Sequence, residues 1–259
     1  MSMFCFQCQE TARNEGCTVR GVCGKEPETA NLQDALIHAL KGIGFWGVRA
    51  GELGLSAASE GQWVAQALFA TITNANFDNE RLTRLTTESL QRRDALRARV
   101  VKEAAAQGKA LPAALPDAAT WSAEGQAAFL LKGATHGVLA TGNADIRSLR
   151  ELLVYGLKGI SAYADHAAVL KHEDPAIYAF LLAALDSTLQ DLPVDACVNW
   201  VMKAGEMAVT TMALLDKANT STYGNPEITQ VNLGVRGRPG ILVSGHDLRD
   251  LKDLLEQTQ

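Results

Sequence analysis

The chain has 259 residues, of which 47% are hydrophobic and 20% charged, a composition typical of a folded globular protein. Its 24 Lys and Arg residues against 29 Asp and Glu residues give a net charge of −5, which argues against a nucleic-acid partner because such proteins need a dominant basic surface. No apolar run reaches the roughly 18 residues of a membrane span, and the first residues lack the basic and apolar regions of a secretory signal. We therefore expect no membrane partner and a cytoplasmic location.

Cysteines dominate the start of the chain. Cys5, Cys8, Cys17 and Cys23 have the spacing C-x2-C-x8-C-x5-C, and such clustering points to a metal rather than to a disulfide framework. Iron–sulfur clusters take four thiolates, and the neighbouring glycines allow the close backbone approach that short ligand loops need. The spacing favours an iron–sulfur cluster, with zinc and unligated redox thiols as alternatives. The fifth cysteine, Cys197, is interpreted as a small buried side chain.

Apolar residues at helical spacing predict that the long middle of the chain is helical. The stripes run over residues 32–43, 82–100, 149–160, 177–189 and 194–218. Four further histidines within or between these segments have no metal-ligand spacing, so we expect each to be a satisfied or solvated side chain; they are His38, His136, His166 and His172.

Two of these segments look like copies of each other. LQDALIHALKGI begins at Leu32 and LRELLVYGLKGI begins at Leu149, which is 117 positions later. The same offset aligns a second helix in each half, so we predict an internal duplication of two three-helix bundles, about residues 26–110 and 120–220. A glycine inside a helix costs roughly 1 kcal/mol against alanine, so we expect close helix contacts at both Gly42 and Gly159.

The last forty residues change character. Glycines and prolines are frequent up to residue 240, the apolar run 241–243 favours a strand, and leucines between 248 and 255 form a helical stripe. We therefore predict a helical domain over 1–220 and, over 221–259, a linker with the first strand and helix of a truncated α/β domain. A lone strand has no ladder partner, so this end should expose apolar side chains. Taken alone, His246 in the turn before the helix is interpreted as a cap or surface residue.

Several motifs together give the chain a resemblance to the hybrid-cluster proteins, or hydroxylamine reductases. FCFQCQET begins at Phe4, GCT at Gly16 and GVCGK at Gly21. Further agreement lies in LQD from Leu32, LFATITNANF from Leu68, LKG from Leu157, YGNPEITQVN from Tyr223 and ILVSGHDLRDL from Ile241. The resemblance runs through the whole chain in order.

The resemblance implies an oxidoreductase that reduces hydroxylamine and, in some members, nitric oxide, with electrons from a low-potential donor. It implies a [4Fe–4S] cluster on the four clustered cysteines, because members with a longer gap between the second and third cysteines carry [2Fe–2S]. It also implies a second, catalytic hybrid Fe–S–O cluster, for which His246 is an iron ligand and whose other ligands lie in C-terminal domains.

Members of that family are about twice as long as this chain. We therefore expect the chain to be the N-terminal part of a hydroxylamine reductase, inactive by itself, whose [4Fe–4S] cluster passes electrons to the hybrid cluster in the missing domains. The alternative is a standalone, non-catalytic iron–sulfur module for electron transfer or redox sensing.

Overall fold

The computed structural model describes residues 3–72, 75–237, 239–245 and 247–259. Over these ranges the chain forms nine α-helices and two short 3-10 turns, at Ala12–Asn14 and Val138–Ala140. The helices are α1 (Pro27–Glu52), α2 (Ala58–Ile72), α3 (Asn79–Ala106), α4 (Asp117–Thr120), α5 (Gly125–His136), α6 (Ala144–Val169), α7 (Pro175–Ser187), α8 (Val194–Tyr223) and α9 (Leu248–Gln257). The mainly α fold class is confirmed.

The helix boundaries repeat with the offset found in the sequence. Helices α1 and α6 both have 26 residues and start 117 positions apart; α2 and α7 also start 117 positions apart, and α3 and α8 end 117 positions apart. Side chains set several of these starts. The Asn143 side chain accepts from the first amides of α6, and the Asp174 side chain caps α7 ahead of its first-turn proline.

The second helix of each half packs mainly against the first helix of the other half. Helix α1 packs along α3 and along α7, and α6 packs along α8 and along α2, so each first helix meets the other half's second helix more extensively than its own. Apolar side chains of both halves meet in one continuous cluster, which includes Leu36, Leu40, Ile43, Leu157, Leu181 and Leu185. The halves therefore share one core instead of each enclosing its own.

Helices α4 and α5 form an insertion between the halves that covers only the first half. They pack on α1 and α3, with Ala118, Ala119 and Phe129 fully buried. The close contact expected at Gly42 is confirmed, since a Cβ there would overlap the carbonyl oxygen of Ala118. The matching expectation for Gly159 is wrong, because no atom lies within 4 Å of a Cβ built at that position. Within the described residues, no equivalent of α4–α5 covers α6 and α8.

The end of the described chain has one helix and no paired strand. The segment 241–243 is exposed and has no regular secondary structure, and none of the described residues pairs with it, so the predicted strand is not formed. The predicted last helix is present as α9, whose leucines 248, 251 and 255 are 40–56% exposed. The expected apolar surface at this end is thus present. No helix among the described residues is long and apolar enough to cross a membrane.

Candidate metal centre

Backbone pairing brings the first and third cysteines side by side. The Cys5 amide donates to the Cys17 carbonyl at 3.1 Å, and the Cys17 amide donates back at 2.8 Å, which is a single antiparallel bridge. The chain between them reverses direction through the 3-10 turn Ala12–Asn14, where Arg13 and Asn14 adopt left-handed φ angles of 58° and 57°. The long x8 gap is therefore a compact reversal that returns Cys17 to Cys5.

The fourth cysteine sits in a tighter turn. The Gly21 amide donates to the Lys25 carbonyl and the Gly24 amide donates to the Gly21 carbonyl, each at 2.8 Å. A Cβ at Gly21 would lie 3.1 Å from the Cys23 sulfur. A side chain at this position would crowd the thiol, so glycine suits the close approach of the backbone to a cluster ligand.

All five cysteines are free thiols. Four of them lie in residues 5–23, called the cysteine loop from here on. Within this loop Cys17 is buried, and Cys5, Cys8 and Cys23 are half-buried. Four free thiols in one short segment can bind a single zinc ion or supply one ligand to each iron of a polynuclear cluster, so the donor set itself fits both kinds of site.

Positive and amide donors face the first cysteine from beneath the loop. The Lys25 ammonium lies 3.6 Å from the Cys5 sulfur and donates to Gln33 Oε1 at 2.8 Å, with the residue 2% exposed. Gln33 Nε2 is buried without an acceptor in the described part of the chain, and Gln33 lines the space beside Cys5. An unused amide donor and a buried cation are what an anionic sulfur cluster requires around it.

Helix α6 of the second half holds the loop from the other side. The Lys158 ammonium donates to Gln7 Oε1 at 2.7 Å, and the Tyr155 hydroxyl donates to the Gln7 carbonyl at 2.7 Å. The Phe6 ring lies 6.2 Å from the Phe4 ring and 6.3 Å from the Tyr155 ring, measured between centroids. The loop is thus fixed by residues more than 140 positions away, and aromatic rings shield the side of Cys5.

Buried charges of both signs lie between α1 and α6. Burial raises the pKa of Asp34 to about 7, with the nearby Lys158 ammonium partly offsetting the effect. Burial likewise lowers the pKa of Lys158 to about 8, which the charge of Asp34 opposes. Neighbours of opposite charge therefore reduce the free-energy cost of burying Lys25 and Lys158 beneath the loop.

The remaining candidate residues lie elsewhere. Cys197 is buried in α8 with its thiol near the Leu192 carbonyl, away from the loop, as expected of a packing residue. His246, the expected ligand of a second cluster, lies outside the described residues. Its neighbour Asp247 caps α9 by accepting from the Arg249 amide at 2.9 Å, and its carboxylate is 4.0 Å from His166 Nδ1.

Sequence reasoning missed the residues that surround the loop. Lys25, Gln33, Tyr155 and Lys158 contribute through tertiary contacts. Three of them lie in the motifs GVCGK, LQD and LKG, but those motifs did not show that the side chains face the cysteines. It also missed that the fold brings His38 and His136 to one carboxylate, that of Asp117, although no spacing relates them. Burial lowers the pKa of His38 to about 4, against the opposing hydrogen bond to Asp117.

Similarity to known proteins extends along nearly the whole chain. The Prismane/CO dehydrogenase family profile matches residues 3–259. Proteins named hydroxylamine reductase are similar throughout: one from Nitratidesulfovibrio vulgaris is 58% identical over 99% of this chain, one from Desulfitobacterium hafniense 56% over 100%, and one from Halothermothrix orenii 55% over 100%. The chain covers 46–47% of those three proteins, so it spans about half the length of the curated relatives it matches.

Proposed function

Because this chain belongs to the Prismane/CO dehydrogenase family, we propose that it is the cluster-bearing N-terminal part of a hydroxylamine reductase. The proposed reaction adds two electrons and two protons to hydroxylamine, breaks its N–O bond and releases ammonia and water, with nitric oxide as a further substrate. The proposal rests on the loop with four thiols, which contacts both halves of the fold. Nearly the whole of this chain matches relatives named hydroxylamine reductase.

Cys5, Cys8, Cys17 and Cys23 would hold a [4Fe–4S] cluster, which supplies one-electron transfer when bound. Four protein thiolates leave no open position for substrate, so these residues serve electron transfer and not N–O cleavage. Lys25 and Gln33 offer positive charge and an amide donor to the sulfurs, and the rings of Phe4 and Phe6 limit access of water. These contacts support a role in accepting electrons from a low-potential donor.

The catalytic step would take place elsewhere, at a hybrid Fe–S–O cluster in domains that follow this part of the protein. His246 would be one of its iron ligands, and residues 221–259 would open the α/β domain that carries others. The exposed leucines of α9 support a following domain, because an amphipathic helix needs a partner for its apolar face. A standalone electron-transfer or redox-sensing module is the second candidate, since the cysteine loop is a complete donor set by itself.

Metal analysis tests the cofactor directly. Anaerobically purified chain should contain about four iron and four acid-labile sulfide per molecule, and Cys17→Ser should lose most of the iron and the brown absorbance. Cys197→Ala is the matched control, because it removes a buried thiol of α8 that is separate from the loop, and it should keep its iron. Stoichiometric zinc without sulfide, or iron loss in the control, would contradict the assignment.

An anaerobic assay separates the two candidates. With reduced methyl viologen as donor, the 259-residue chain should become reduced but should not turn over hydroxylamine, whereas a longer protein containing this sequence and the C-terminal half should do so. If the chain alone turns over hydroxylamine and His246→Ala abolishes that turnover, then catalysis does not require the following domains and the proposal is wrong. Absence of turnover in the longer protein, with its clusters intact, would favour the standalone module.

A further inference from the structure

Two histidines and an aspartate from three helices converge where the insertion crosses α1. His38 lies in the middle of α1, Asp117 is the first residue of α4, and His136 is the last residue of α5. The Asp117 carboxylate oxygen Oδ2 is 2.7 Å from His38 Nε2 and 3.7 Å from His136 Nε2, and the two imidazole centroids are 4.7 Å apart. All three donor atoms lie within 4.8 Å of one another.

This donor set suits one class of ligand. Two imidazole nitrogens and a carboxylate oxygen bind zinc and the neighbouring divalent first-row metals. Bonds of about 2.0–2.2 Å hold adjacent donors about 3.0–3.6 Å apart, and the two distances found here lie on either side of that range. Each of these two distances is within a few tenths of an ångström of ligand spacing, and the third separation, between the two imidazole donors, is within 4.8 Å.

Outer contacts orient both histidines for ligation. The Thr135 hydroxyl lies 2.8 Å from His136 Nδ1 and 3.1 Å from the Leu131 and Lys132 carbonyls. When the hydroxyl donates to a carbonyl, its oxygen accepts from His136 Nδ1, and this tautomer leaves Nε2 able to bind a metal. His38 is 7% exposed, which favours its neutral form, and its ring packs against the edge of Trp121 at 5.6 Å. Metal-binding histidines commonly hydrogen-bond through the nitrogen that does not bind the metal, as His136 Nδ1 does here.

Lys132 is the resting partner of the same carboxylate. Its ammonium donates to Asp117 Oδ2 at 2.8 Å, and its side chain is 11% exposed beside the Trp121 ring. The lysine therefore supplies the positive charge that the carboxylate and the His136 lone pair require, and an incoming dication must displace it. The affinity of the site is set by that competition.

We propose that His38, Asp117 and His136 form a binding site for a divalent first-row transition metal ion, with zinc as the representative, on elements separate from the cysteine loop. A bound ion would join α4 and α5 to α1 and so fasten the insertion to the helical core. Binding to the folded chain alone would raise its stability in proportion to the logarithm of the metal concentration.

The test uses the anaerobic protein with its iron–sulfur cluster in place, so that the cysteines are not available to added metal. Co²⁺ titrated into this protein should bind as one equivalent with visible d–d bands and without the near-ultraviolet sulfur-to-cobalt bands that thiolate ligation gives. Zn²⁺ should displace it, as followed by the loss of those d–d bands.

Three variants decide the outcome. His136→Ala changes a partly exposed ligand and should weaken Co²⁺ binding at least about tenfold, whereas His172→Ala, a histidine outside the group, should leave it unchanged. Lys132→Met removes the competing cation and should tighten binding. Co²⁺ binding that His136→Ala does not weaken, or no binding even in Lys132→Met, would overturn the proposal and leave the group as a hydrogen-bonded cluster.

Discussion

Two glycines 117 positions apart should respond in opposite ways to the same substitution. Gly42 of α1 and Gly159 of α6 occupy equivalent places in the two halves, and both follow a lysine. An alanine Cβ at position 42 would overlap the Ala118 carbonyl and lie 2.9 Å from Arg93 Cδ, whereas an alanine Cβ at position 159 would meet no atom within 4 Å. The difference arises because the α4–α5 insertion covers only the first of the two sites.

The expected magnitudes follow from these contacts. Overpacking a filled core costs about 1–3 kcal/mol. Moving α4 away would also weaken the hydrogen bonds from the buried Arg93 guanidinium to the Ala118 and Trp121 carbonyls, at about 1.5–3 kcal/mol for a charged donor. Replacing glycine by alanine in a helix returns about 1 kcal/mol. Gly42→Ala should therefore destabilise the protein by about 1.5–5 kcal/mol, and Gly159→Ala should stabilise it by up to about 1 kcal/mol.

Thermal unfolding of the anaerobic protein, followed by circular dichroism, measures both effects. At about 2–4 °C per kcal/mol for a chain of this size, Gly42→Ala should lower Tm by about 3–20 °C, and Gly159→Ala should raise it slightly. Equal shifts in the two variants would refute the reasoning, because they would mean that intrinsic helix propensity and not the insertion decides the outcome. A lowered Tm in Gly159→Ala would show that the α6 face is covered.

Two further predictions concern the charges beneath the cysteine loop. Lys25→Met removes a cation 3.6 Å from the Cys5 sulfur and should lower the reduction potential of the bound cluster by about 50–200 mV. This range is the Coulomb energy of one electron and one positive charge, at high and at intermediate dielectric constant, converted to a potential. An unchanged potential in an anaerobic dye titration would contradict the prediction. Burial raises the pKa of Asp34 to about 7, so the folded chain holds this proton more tightly than the unfolded chain, and stability should fall as the pH rises from about 4 to 7. Asp34→Asn should make Tm less dependent on pH over this range. If the slope of Tm against pH is unaltered, other titrating groups cause the pH dependence.

The sequence by itself predicted the helices and the cysteine loop because both depend on local information. Leucine spacing marks a helix wherever the rest of the chain lies, and the 117-residue offset at Leu32 and Leu149 correctly anticipated the equivalent helix boundaries. The four cysteines all lie within the first 23 residues, so a short loop is enough to bring them together. The motifs around them also predicted the family to which the chain belongs.

Only the tertiary structure decided which distant residues meet. Spacing predicts that a helix has an apolar face, but it does not say which helix covers that face, and so the exchange of α2 and α7 between the halves was not foreseen. For the same reason the contact expected at Gly159 was wrong. The approach of Lys158 to the cysteine loop and of His136 to His38 depends on where α5 and α6 pack, which is set by the complementarity of surfaces far apart in the chain and leaves no periodic trace in the sequence.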